Sequence, residues 1–280
     1  DVSLVQAQNG NTYNSYPVKK LAIPVDINIA RQNGTVTSTD SVVSELRFDM
    51  PKGTLFKNDL AILGVIAANN WKRPIYFTMP YGELGFGSYL RRDGLPYRLV
   101  PVVNSEVNTD WMLDKVMNKF GYGNANVEGV YFDEENRRHI NIIRRAEIDL
   151  ANDLTAKNRK EDAVKVLQRC DKMILESNFG YGLVSKNNDH NKISMNMMEV
   201  AYRAGDKALA QKIEKAVRID LQQQMKYYNV LDANKAEMMR YEKQTAEELL
   251  SALDQINMVY NPANTGSVEK PLSPDSGARP

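Results

Sequence analysis

Near residue 108 the hydrophobic pattern of this chain changes period, and that change limits the fold more than any motif does. Before it, apolar residues alternate in short pieces, VKKLAIPVDINI over 18–29 and VVSELRFDM over 42–50, separated by the polar run ARQNGTVTSTDS. A two-residue period bounded by Gly, Asn and Ser is the pattern of strands joined by turns. After it, apolar residues return every three or four positions, predicting helices over 109–119, 134–157, 160–176, 190–204, 206–228 and 233–259. The expected class is therefore α+β: a small N-terminal β-sheet domain with a packed helix, followed by an all-α array of helical hairpins. A length of 280 residues suits two such units, expected at 1–107 and 108–260. Residues 261–280, NPANTGSVEKPLSPDSGARP, hold four prolines and little apolar material, and are expected to be a disordered tail.

One helix interrupts the strand-rich part. Phe56, Leu60, Leu63 and Ala67 share a face, predicting a helix over 56–69 packed on the sheet. Pro74 crowds Arg73 out of helical geometry, so the chain leaves extended and IYFT becomes a strand, with a second at YRLVPVV, 97–103. In the joint between them, Asn69 and Asn70 suit left-handed geometry at a helix end, Trp71 suits covering that end, and the guanidinium of Arg73 suits a carboxylate or backbone oxygens. The intervening MPYGELGFGSYLRRDGLP is Gly-rich and aromatic. Trp71, Arg73, Tyr76, Tyr81, Tyr89, Arg91, Arg92, Asp93 and Arg98 combine flat apolar faces with charged donors and acceptors, the mixture of a concave ligand site. Aromatics beside glycine turns also seal small cores, and both readings stand at this point.

The sequence offers no catalytic residue, metal site or cofactor cradle. Its two histidines, His139 and His190, fall on separate elements without an HExxH pattern, and Cys170 is the single cysteine. GELGFG at 82–87 lacks the spacing of a phosphate loop, and Asp133, Glu134 and Glu135 read as a helix start. Thirty-six basic against 35 acidic residues, net +1, give no field for nucleic acid. The longest apolar run, Leu60 to Ala68, is far below the ~20 residues of a membrane span. The absence of an initiator Met reads as a piece of a longer protein.

Two stretches repeat in form, LANDLTAKNRKEDAVKVLQRC (150–170) and MEVAYRAGDKALAQKIEKAV (198–217). In each a turn residue, Asn158 or Gly205, precedes by five an Ala, Ala163 or Ala210, that opens the next helix. The interval is similar to the tetratricopeptide turn, although the two alanines lie 47 residues apart rather than ~34. A generic bundle of helical hairpins accounts for the same spacing.

NDLAILGVIAANNWKRPIYFT and the later YLRRDGLPYRLVPV resemble the soluble C-terminal part of the DUF2723 family of bacterial membrane proteins, common in Bacteroidetes and related to vertebrate TMEM260-type protein O-mannosyltransferases. The resemblance rests on Asn69 to Phe77, Gly94-Leu95 and Tyr97 to Pro101, with weaker similarity at Ile23 to Asp26, and covers roughly residues 18–103. It implies a parent with a multi-helix membrane region like that of GT-C glycosyltransferases, which use a polyprenyl-phosphate sugar donor and an acidic residue in an extracytoplasmic loop. None of that region is present in these residues, so no family catalytic residue carries over. By this resemblance the chain is an extracytoplasmic, non-catalytic companion on the periplasmic side, binding a protein or glycan acceptor, or the parent membrane region, or supporting the assembly. The alternatives are a carbohydrate-binding module built on the 81–98 aromatic loop and an enzyme whose site the sequence hides.

Overall fold

The computed structural model describes residues 3–6, 8–15 and 18–261, so the tail expected to be disordered lies, from residue 262, outside the described residues. The chain divides into two compact units, 1–121 and 122–280. Together they are α+β: small antiparallel sheets first, helices after.

The first unit opens with a hairpin that the sequence did not signal, β1 (Ser3–Gln6) against β2 (Thr12–Ser15). β3 (Lys20–Pro24) pairs antiparallel with β4 (Glu45–Asp49), setting Leu21 opposite Phe48 and Ile23 opposite Leu46. The strand expected through residue 29 ends early and becomes a helix, α1 (Ile27–Gln32). The reason is local: the Asp26 carboxylate accepts the Ile29 N–H at 3.0 Å, capping a helix start. After α2 (Lys57–Asn69) comes a three-stranded antiparallel sheet, β5 (Tyr76–Phe77), β6 (Leu90–Arg92) and β7 (Tyr97–Leu99), with β7 in the middle. The Gly-rich segment thus contains a strand, β6, that its composition concealed.

α3 (Thr109–Asn118) falls in the first unit, so the division comes later than the expected 107/108. Backbone hydrogen bonds draw it there. Arg92 N–H donates to Glu106 O at 2.8 Å and Asn108 N–H to Arg92 O at 3.0 Å, laying 106–108 along β6 just before the helix. Met112 and Val116 of α3 are then fully buried. The core of this unit gathers Leu46 and Phe48 of β4, Ile66 of α2, Trp71, Phe86 and Leu99.

The second unit is helical: α4 (Glu134–Ala156), α5 (Lys160–Met173), α6 (Glu176–Phe179), α7 (Asp189–Ala204), α8 (Lys207–Asn229), α9 (Ala233–Met238) and α10 (Arg240–Tyr260). Two hairpins, α4/α5 and α7/α8, pack through α7 on α4, and α10 lies on α8. Their turns share one geometry. Asn158 and Gly205 are left-handed, at φ 60° and 100°, and the next residue reaches back five positions, Arg159 N–H to Leu154 O at 2.8 Å and Asp206 N–H to Ala201 O at 2.9 Å. Ala163 and Ala210 are fully buried where the helices meet. Two expected helices are each broken. The 160–176 helix stops at Met173 because Ile174 turns extended to bury its side chain, and the 233–259 helix is interrupted at Met239.

Candidate functional site

Some of the residues singled out from sequence fold into a joint and a charged cluster that share one polar network. At the joint, α2 ends in two consecutive left-handed residues, Asn70 at φ 45° and Trp71 at φ 61°. Asn69 holds the turn with its carboxamide, accepting from Arg73 N–H at 3.0 Å and donating to Arg73 O at 2.6 Å. Trp71 is buried, and its indole N–H donates to Pro24 O at 2.8 Å, fastening the joint to the end of β3. Its carbonyl accepts from the Asn33 side chain, whose oxygen in turn accepts the N–H (2.9 Å) and hydroxyl (2.6 Å) of Thr35.

Thr35 connects the joint to the arginines. Its carbonyl accepts from Arg91 and its hydroxyl from Arg98, both at 3.2 Å. Asp93 sits between the two guanidinium groups, 3.7 Å from Arg91 Nε and 3.4 Å from Arg98 Nη1, while Arg91 also reaches Asp40 at 3.3 Å. Arg98 lies 5.6 Å from the ring centre of half-exposed Tyr76. Arg92 turns elsewhere, stacking 4.3 Å over Tyr97 and donating to Leu95 O at 3.1 Å. Asn33 and Thr35, which complete this network, were missed: both lie in a polar run that reads only as a turn.

The loop aromatics face inward. Tyr89 is buried, and its hydroxyl bridges Arg47 N–H (3.0 Å) and Arg47 O (3.1 Å) across β4. Tyr81 stacks near Phe77 and Phe86 and donates to the buried carboxylate of Asp59 at 3.0 Å. That carboxyl is held below its ordinary range by the Phe56 N–H first and the Lys52 ammonium next. Gly85, inside GELGFG, accounts for that motif: a Cβ there would stand 2.0 Å from Asp49 O, so glycine is required for the loop to touch β4. Only Arg73 and Tyr76 of the nine candidates are exposed. The cavity beside Trp71 and Arg73 is about 10 Å³, enough for at most one water.

In the second unit a groove of about 1070 Å³ opens between the start of α4, the 183–188 loop, the start of α7, the end of α8 and the start of α10. Its floor is a braced amide cluster. Asn188 and Gln224 exchange hydrogen bonds at 3.0 and 2.9 Å, and Asn191 donates to both Asn188 and Asp220. Asn187 and Asn188 are both left-handed, so the loop presents its carboxamides on a tight bend. Arg137, Arg138, Lys186 and Lys192 line the groove together with Glu134, Asp189 and Glu242, and Tyr228 and Tyr241 are the aromatic residues of its lining. His190 also borders it but is buried, donating from Nε2 to Gly180 O at 2.8 Å; burial and then Arg144 push its pKa down to about 4. The Lys-Asn-Asn-Asp-His-Asn run at 186–191, which spans the gap before the helix expected over 190–204 and its start, was the available signal for this groove.

Beneath lies a closed set of ionisable groups. Buried Arg144 donates to Phe179 O at 3.1 Å, Glu147 accepts from the Tyr122 hydroxyl, and burial pushes Glu147 up to about 7 and the Cys170 thiol well above its ordinary value. His139 is exposed beside Glu135, and no group of three metal-ligating side chains occurs among the described residues.

Residues 1–120 match the family model described as TMEM260-associated domain 2. Residues 1–120 form a TMEM260-like family domain. The joint, the arginine network and the Gly85 contact therefore all lie within the TMEM260-like domain, whereas the groove lies in the second unit. No curated protein and no solved structure matches the chain. No helix among the described residues is long and apolar enough to cross a membrane.

Proposed function

We propose that this chain is a non-catalytic, extracytoplasmic part of a membrane-bound protein O-glycosyltransferase-like protein, and that its second unit holds an extended polypeptide, either the acceptor or a partner. The match to a TMEM260-associated domain supports the glycosyltransferase context. The observation that carries the binding role is the groove itself. At about 1070 Å³ it is at or above the upper end of small-ligand pockets, and carboxamides, charges of both signs and tyrosines suit the alternating donors, acceptors and side chains of a peptide. The TMEM260-like domain, with its cross-tied joint, acts as support.

The test is a titration of the full chain with fluorescein-labelled Ser/Thr-containing peptides, read by anisotropy, beside a matched glycan panel. Saturable peptide binding, weakened about tenfold by Tyr241→Ala and untouched by Tyr76→Ala, is the expected result. Saturable glycan binding lost on Tyr81→Ala would favour a carbohydrate-binding module instead. Turnover by the isolated chain would replace the proposal with an enzyme, and absence of peptide binding across the panel would end it.

A further inference from the structure

From Leu60 to Ala68, α2 is apolar around its whole circumference. Its inward side carries buried Ile66 with Ile62 and Leu63 half-buried, and the buried Asp59 tied down by Lys52, Tyr81 and the Phe56 N–H. Its outward side carries Leu60, Ala61, Gly64, Val65, Ala67 and Ala68, all exposed; Leu60 is 42% and Val65 58% accessible, and Phe56 at the N-cap is 61%. A helix apolar on all sides belongs where apolar matter lies on all sides. The core of the first unit accounts for one side only.

The charges say what suits the other. Asp59 is the single acidic residue between 57 and 73, and it is fully buried. Exposed Lys57 stands at one end of the helix, and exposed Lys72 and Arg73 follow the other. The result is an apolar face about 20 Å long, cationic at both ends and free of exposed carboxylates. Lys57 sits in the first turn, where the helix dipole opposes a cation and an external anion would relieve it. A second copy would bring like charges together over one helix face, well short of the ~800 Å² per partner of a stable dimer. A headgroup layer rich in phosphate, with acyl chains beneath, satisfies both the apolar strip and its cationic ends.

We propose that the outward face of α2 docks on an anionic lipid surface, with the helix lying in the interface plane. The two apolar faces then serve two neighbours, the protein core and the bilayer. The test is co-sedimentation of the full chain with phosphatidylcholine vesicles, with and without phosphatidylglycerol. Binding is expected only with phosphatidylglycerol and should weaken as salt rises. Val65→Asp, and separately Lys72→Glu with Arg73→Glu, should each lower partitioning about tenfold while leaving the melting temperature in place, since all three side chains are exposed. Gly64→Leu separates the occupants, because a Cβ there meets nothing within 4 Å and the fold accepts it. Added apolar surface should raise vesicle binding several-fold. Equal binding to neutral vesicles, no binding to anionic ones, or weaker binding by Gly64→Leu would overturn the proposal. So would a concentration-dependent dimer dispersed by Val65→Asp, which would assign the face to a second copy.

Discussion

In the first unit, buried Arg91 and Arg98 meet Asp93 and Asp40 across the sheet; in the second, buried Arg144 and Glu147 lie one turn apart on α4 and each meets an uncharged neighbour. Arg144 is flanked by the rings of Phe179 and Tyr181 at 5.0 and 4.9 Å, and Glu147 by the Tyr122 hydroxyl. The difference follows from how each unit satisfies its backbone. Strands of two to five residues supply few ladder bonds, so the first unit ties loops to strands with side chains, through Asn33, Thr35, Trp71 and Tyr89. Helices bond their own main chain, which leaves the second unit free to close on alanine contacts. The second unit does tie helices together with charge, but through more exposed pairs such as Arg145–Asp189 and Arg218–Asp254, whereas the first unit ties its interior with buried ones.

The largest effects should come from attacking each fastening in kind. Ala163 and Ala210 are fully buried at hairpin contacts, so Ala163→Arg or Ala210→Arg forces a cation into a dry interface and should cost at least about 4 kcal/mol. Thermal melts followed by circular dichroism would read it, and unchanged melting for both would reject the hairpin packing. In the first unit, Asp93→Leu leaves Arg91 and Arg98 without their shared anion and should cost about 3 kcal/mol. Adding Arg98→Met should return part of that loss. If the double variant is instead as unstable as the sum of the singles, Asp93 and Arg98 are not a coupled pair.

Much of this architecture could be read beforehand because period and punctuation agree with it. The 134–157 and 206–228 helices and the left-handed turns at Asn158 and Gly205 are local properties, set by spacing and by a residue tolerant of positive φ. Where tertiary partners decide, the sequence was silent. β6 exists because β7 and residues 106–108 bond to it, and nothing in LRR alone proposes a strand. Of the candidate residues, Trp71, Arg91, Asp93 and Arg98 share a network, but its connectors Asn33 and Thr35 lie some 36 to 65 residues away in sequence. The groove was not legible beforehand, since its lining comes from four separate segments of the chain.

A smaller effect should appear in the pH profile, and it sharpens the contrast because both groups are embedded in the second unit. Folding raises Glu147 from 4.5 to about 7, so the folded state binds its proton more tightly and loses stability as pH rises across that interval, by about 3 kcal/mol in all. Folding lowers His190 from 6.5 to about 4, so the folded state binds that proton less tightly and loses a similar amount as pH falls across that interval. Between about 4.5 and 6.5 the two slopes oppose each other. Urea midpoints of the native chain should therefore show little dependence on these groups there. Glu147→Gln should uncover stability that increases with pH, and His190→Gln stability that decreases with it. Parallel profiles for both variants would mean that neither proton is linked to folding.

The smallest effects test whether the two hairpin turns are one device. Gly205 has φ 100° with nothing within 4 Å of an added Cβ, so Gly205→Ala isolates the backbone cost and should destabilise by about 1 kcal/mol. Gly205→Asn, which copies the residue at 158, should cost less because asparagine tolerates left-handed geometry. The reciprocal change, Asn158→Gly, relieves a milder φ of 60° at the price of a looser unfolded chain, and should lie within a few tenths of a kcal/mol of neutral. Urea midpoints resolve these steps. Equal losses for Gly205→Ala and Gly205→Asn would show that the second turn needs an absent side chain rather than a tolerant one, and the two hairpins would then close by different physics despite their shared five-residue spacing.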